Sequence, residues 1–130
     1  MATKGKVLIV DDDPDLCEVM RVALEADGFS VYTAPNGTRG LQLVRQEKPD
    51  LVFLDVVMAH PTEGVDVNTT MKEDPELWDI PVVMLTSILN GDYLGHFPTD
   101  QPLSVVQFLT KPVALPELLR ITNQVVGSKH

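Results

Sequence analysis

The sequence predicts an α/β fold, a five-stranded parallel sheet with helices on both faces. Five short runs rich in Val, Ile, Leu and Phe recur along the 130 residues. Segments of helical periodicity separate most of them, and most of the runs lack the polar alternation of a half-solvated sheet. Strand, helix, strand in this order makes neighbouring strands parallel, because each helix carries the chain back across the sheet before the next strand begins.

The first strand is KVLIV (6–10). A helix over 14–27 follows. Asp13 is placed to cap it, Pro14 takes the first helical position and Gly28 stops it. Leu16, Val19, Met20, Ala23 and Leu24 recur at helical spacing and define its inward face. SVYTA (30–34) is the second strand, and NGTRGLQLVRQEKPD (36–50) holds a second helix with Leu41 and Val44 inward. LVFL (51–54) is the third strand, followed by a helix around Val65 to Glu73 and a fourth strand, PVVMLT (81–86). The alternation then calls for a fourth helix, but Gly91, Gly95, Pro98 and Pro102 punctuate residues 88–103. A helix there is expected to be short or replaced by loop. SVVQFLT (104–110) is the fifth strand. The last helix, LPELLRITNQVV (115–126), opens with Pro116 and turns Leu118, Leu119, Ile121, Thr122 and Val125 inward.

Composition narrows the function. Nineteen acidic against ten basic residues give a formal charge of -9, which repels nucleic acid and favours cations or basic partner surfaces. The single cysteine, Cys17, makes no internal disulfide and reads as a core thiol. No run has the length and apolarity of a membrane span or a secretory leader, so a cytoplasmic protein without membrane insertion is expected. No repeat or linker divides the chain, and residues 1–130 are expected to form a single domain with its core at about 5–126.

The chemistry gathers where strands end. Ligands of open parallel sheets bind beyond the carboxyl ends of the strands, near the point where strand order reverses. The first strand runs into Asp11, Asp12 and Asp13; the third into Asp55; the fourth ends at Thr86 and Ser87; the fifth is followed by Lys111 and Pro112. If the first and third strands are neighbours, Asp11, Asp12 and Asp55 converge. Such a cluster either suffers raised pKa values or holds a hard divalent cation, and Mg²⁺ is the expected one.

VLIVDDDPDL, PDLVFLDVVM, PVVMLTS and FLTKP, in this order and joined by helices, resemble the response-regulator receiver domain of two-component signalling. The resemblance covers roughly residues 5–126. It implies the flavodoxin-like doubly wound strand order 2-1-3-4-5. It also implies that Asp55 accepts a phosphoryl group from a sensor histidine kinase or a histidine phosphotransfer protein. Asp12 would be the direct Mg²⁺ ligand, Asp11 would act mainly through a bound water, and the backbone carbonyl of Val57 would complete the protein's share of the coordination. Lys111 would pair with one phosphoryl oxygen and Thr86 with another, and Phe108 matches the aromatic switch position that works with Thr86. A phosphoacceptor of this kind is not an enzyme acting on foreign substrates. It shifts its own conformation to control an output domain or a separate partner.

The family pattern is broken in two places. Ala59 and Glu63 stand where receivers commonly carry proline and glycine, with Pro61 and Gly64 coming later; residues 88–103 replace a helix of the usual signalling face. A degenerate receiver that acts as a phosphorylation-independent interaction module is the alternative, and a fragment of a larger regulator or hybrid kinase would fit the same residues. His60, His96 and His130 have no partners at recognisable spacing and read as surface histidines. Trp78 reads as the anchor of a helix end.

Overall fold

The structure, a computed structural model, describes residues 3–55, 67–86 and 105–129. Along them run β1 (Lys6–Val10), α1 (Pro14–Ala26), β2 (Ser30–Ala34), α2 (Gly37–Glu47), β3 (Leu51–Asp55), α3 (Val67–Glu73), β4 (Val82–Thr86), β5 (Val105–Thr110) and α4 (Leu115–Lys129). The five strands form one parallel sheet in the order β2-β1-β3-β4-β5. The expected topology is observed.

Side-chain alternation explains why the strands read as continuous apolar runs. Leu8, Val10, Val52, Leu54, Val82 and Met84 project to one face, where they pack with Leu41 and Val44 of α2 and Met71 of α3. Val7, Ile9, Leu51, Phe53, Val83 and Leu85 project to the other, against Met20 and Leu24 of α1 and Leu118, Ile121 and Val126 of α4. Every residue of β3 and β4 is buried. A sheet covered on both faces leaves no solvated position to mark its strands with polar alternation.

The caps of α1 are as the sequence predicts. Asp13 accepts from the N–H groups of Asp15 and Leu16 ahead of α1, and Gly28, at φ +103°, takes the left-handed conformation just past its end. Asn36 caps α2 in the same way through the N–H of Arg39, and Lys48 closes it at φ 47°.

β2 lies at the sheet edge, as the order 2-1-3-4-5 requires, with Thr33 exposed and Val31 and Tyr32 only partly buried. Several expectations need correction. Val19 lies 49% exposed; the buried residues of α1 are Cys17, Met20 and Leu24, so the inward face is rotated from the expected stripe. On the last helix Leu119 and Val125 are only partly buried and Val126 takes the fully inward place. Trp78, expected to anchor a helix end, is 59% exposed, and the turn there is held by backbone bonds from Leu77 and Trp78 to Asp74. β3 extends one residue beyond the expected strand, so Asp55 itself belongs to it. Residues 88–103 and the 59–63 loop lie outside the described residues, as do Val65 and Asp66 ahead of α3. No helix among the described residues is long and apolar enough to cross a membrane.

One close approach seats α2 on the sheet. A Cβ on Gly40 would fall 2.9 Å from Cγ2 and 3.2 Å from Cγ1 of Val10. Val10 is a fully buried, β-branched side chain with little freedom to retreat. Gly40→Val is expected to lower stability by about 2 kcal/mol through overpacking. Chemical denaturation of both single variants and the double variant with Val10→Ala is expected to give a compensating coupling of about 1 kcal/mol. Additive single effects would show that the helix shifts instead.

Candidate functional site

The site is assembled by register. Val10 pairs with Leu54 across the β1–β3 ladder, so Asp11 and Asp55 are the next residues on adjacent strands. Asp11 donates its N–H to the Ala34 carbonyl at 3.0 Å, which prolongs the β1–β2 pairing and buries its carboxylate. Its Oδ1 accepts the Asp13 N–H at 2.9 Å. Asp13 thus links the site to α1, capping the helix with its side chain while its backbone orients Asp11. Asp12 is exposed beside them. Carboxylate oxygens of Asp11, Asp12 and Asp55 all lie within 4.8 Å of one another.

Lys111 reaches this cluster from beyond β5. Its N–H donates to the Thr86 carbonyl at 2.6 Å, tying the end of β4 to the start of the following loop. The ammonium then passes the end of β4 to lie 3.1 Å from Asp55 Oδ2, to which it donates a hydrogen bond, and 2.9 Å from Asp11 Oδ2. Crossing a strand in this way calls for a long flexible stem with a compact charge, which lysine supplies.

The electrostatics are those of charge held under compression. Burial raises the pKa of Asp11 above the usual carboxylate value, and the neighbouring Asp55 adds to the rise, while the Lys111 ammonium and the Asp13 N–H oppose it. For Lys111, burial acts to lower the pKa, but contact with the Asp11 and Asp55 carboxylates outweighs it and the ammonium is held charged. The contact at Asp11 Oδ2 is one of charge without hydrogen-bond alignment. This nearly inaccessible oxygen receives no directed hydrogen bond among the described residues. An anionic oxygen left so, next to two further carboxylates, fits a divalent cation of the hard, oxygen-seeking kind.

The other expected residues are divided. Thr86 is buried at the end of β4, opposite Thr110. Phe108 is partly buried on β5 opposite Met84, against the core on the α2 and α3 side. Val57, His60, His96 and His130 lie outside the described residues. One neighbour of the site was not expected there. Cys17 donates its thiol to the Asp11 carbonyl at 3.4 Å and lines a cavity with Asp11 and Asp12. The available signal was its place one turn after the Asp13 cap, on the side of α1 facing the strand end.

Comparison with known proteins places this geometry. The family model described as the response regulator receiver domain matches residues 7–123. The chain belongs to this family. It is 34% identical to Protein PilH of Pseudomonas aeruginosa over 123 residues, covering 95% of this chain and 98% of that protein. It is also 34% identical to the probable transcriptional regulator ycf27 of Guillardia theta, covering all of this chain and 51% of that protein. The chain thus spans about half the length of that longer relative. Among solved structures, the receiver domain of a signal transduction histidine kinase from Syntrophus aciditrophicus superposes with a TM-score of 0.79 at 26% identity, covering 95% of this chain and 91% of that one. As a receiver of two-component systems, the chain is a signalling domain, and the acidic cluster corresponds to the pocket where receivers bind Mg²⁺.

Two outcomes follow for this receiver's pocket. Burial and the nearby carboxylates push the Cys17 thiol up to about 11, so its alkylation in the folded protein is expected to stay slow until pH nears that value. Iodoacetamide labelling read by mass spectrometry checks this; fast labelling at pH 8 would contradict it. Raising the Asp11 pKa on folding means that the group's contribution to stability is present at acid pH and is lost as pH rises through its folded-state pKa. Asp11→Asn is therefore expected to be more stable than wild type at pH 7 without divalent cation, by about 1 kcal/mol in thermal or urea unfolding.

Proposed function

We propose that Asp55 is the phosphoacceptor of a two-component phosphorelay, receiving its phosphoryl group from a sensor histidine kinase or a histidine phosphotransfer protein. The observation that carries this reading is the single ammonium of Lys111 lying 3.1 Å from Asp55 and 2.9 Å from Asp11 at the carboxyl ends of the strands. A dianionic phosphoryl group approaching three carboxylates needs positive charge already in place, and catalysis of phosphoryl transfer is chiefly positioning and charge stabilisation.

In the transfer, an Asp55 oxygen bonds to phosphorus as the phosphorus–nitrogen bond of a phosphohistidine breaks. The leaving imidazole takes up a proton, and an acyl phosphate remains on Asp55. Lys111 pairs with one phosphoryl oxygen and the Thr86 hydroxyl with another. Asp11, Asp12 and Asp55, with the Val57 carbonyl, are the residues that would hold Mg²⁺, which supplies charge to the phosphoryl oxygens when bound. The added group brings about -1.5 to -2 charges. Drawing Thr86 toward them biases the β4–β5 region, with Phe108 as the aromatic that responds, between two pre-existing arrangements.

The chain is proposed to act in the cytoplasm as one receiver unit without direct nucleic-acid binding, given its charge of -9. Its output is a separate partner or a further domain. The presence of Asp12, Asp55, Thr86 and Lys111 together speaks against a phosphorylation-independent interaction module.

Intact-mass spectrometry after incubation with acetyl phosphate tests the reading. A Mg²⁺-dependent gain of one phosphoryl group is expected in wild type and none in Asp55→Asn; uptake by the variant would refute the assignment. Lys111→Ala is expected to retain some uptake while losing the spectral change that accompanies it. Mg²⁺ at about 100 times its Kd is expected to stabilise wild type by about 2.7 kcal/mol, and Asp12→Ala much less at the same concentration.

A further inference from the structure

A second cavity, of about 640 Å³, opens at the opposite end of the sheet from Asp55. Lys6 begins β1 and Asp50 precedes β3, and both line it together with Lys4 and Lys48. Three of the ten basic residues of a chain with formal charge -9 thus face one volume. Asp50 is the sole carboxylate in the lining among the described residues, and its Oδ2 already accepts the Lys6 N–H at 2.8 Å.

The lysines' own partners, Asp27, Glu47 and Glu76, lie outside the lining. Two of those pairs are loose, Lys6 to Glu47 at 3.5 Å and Lys48 to Glu76 at 3.9 Å, and the ammonium-bearing side chains are about half exposed. Lys4 is closer to Asp27, at 3.0 Å, and Lys6 also donates to the Glu47 carbonyl at 3.3 Å, but solvent reaches all three pairs and such pairs contribute little, so the ammoniums can exchange them for the oxygens of a ligand. The remainder of the wall is preformed. Asn123 donates to Asp27 at 2.7 Å and to the Leu119 carbonyl at 2.8 Å, and Phe29 and Val126, both buried in the core, form the floor beneath the lysine stems. Lys4 lies 4.9 Å over the Phe29 ring, joining charge and aromatic surface in one place. A Cβ on Gly5 would stand 2.8 Å from Val126 and 3.1 Å from Asp50, so only glycine lets the chain pass between them at this edge of the cavity.

We infer that this cavity binds a small organic phosphate, its dianionic group toward the three ammoniums and a flat apolar body against the lysine stems, above the floor of Phe29 and Val126. Its volume falls in the range of about 300–1,000 Å³ typical of small-molecule sites. A phosphate monoester offers three acceptor oxygens, and lysine ammoniums bind such groups as point charges.

The test is an amide-resolved NMR titration of the full chain with phenyl phosphate, at low ionic strength and without divalent cation. Saturable shifts are expected at Gly5, Lys6, Phe29 and Lys48, with inorganic phosphate binding more weakly because it lacks the apolar body. The double variant Lys6→Gln, Lys48→Gln is expected to weaken binding by about tenfold, loss of two charge contacts amounting to that much in affinity. Lys48→Gln alone, at the exposed C-cap of α2, is expected to weaken it by a smaller factor and keeps the test decisive should the double variant not fold. Shifts confined to Asp11, Asp12 and Lys111, shifts growing linearly at every lysine and arginine, equal binding of inorganic phosphate, or variants that bind as wild type would each overturn the inference.

Discussion

The contact between the Lys111 ammonium and the carboxylates of Asp11 and Asp55 is the interaction around which the molecule is arranged. Buried carboxylates cost free energy unless something compensates them. Here compensation comes from a residue 56 positions away in sequence, carried past the end of β4. For it to arrive, β5 must lie beside β4, β4 beside β3, and β3 beside β1, which is the observed strand order. The same contact explains how a charged residue can close a fully buried strand such as β3.

The rest of the fold holds that arrangement still. The two faces of the sheet are packed separately, by α2 and α3 on one side and by α1 and α4 on the other. Packing of this density makes strand register a rigid quantity, because a one-residue slip would exchange the two cores. Rigid register sets Asp11 and Asp55 side by side, both within reach of the lysine. Burial and the neighbouring Asp55 disfavour the charged form of Asp11 there. Membership of the receiver family gives that concentration of charge its purpose.

Much of this was legible in the sequence because local rules and the tertiary fold agree. Asp13, Pro14 and Gly28 delimit α1 through backbone chemistry that acts within a few residues. The apolar runs identify buried strands, and the acids and the lysine mark where they end. The misreadings share a cause. Val19 and Val125 are expected inward, yet Val19 is exposed and Val125 only partly buried, because two apolar stripes are compatible with each spacing and only the neighbouring helix and sheet select one.

By itself the sequence determined the fold class, the positions of the described elements to within a residue or two at most ends, and the identity of the residues that meet at the strand ends. Periodicity, capping and strand termination are short-range properties, so residues a few positions apart suffice to express them. The tertiary structure alone decided that Lys111 spans two carboxylates from different strands, that one oxygen of Asp11 is left without a directed donor, and that Lys4, Lys6 and Lys48 share one cavity. Those facts depend on distances between residues remote in the chain. Such distances are set by how helices seat on the sheet, a balance of packing that no single segment contains.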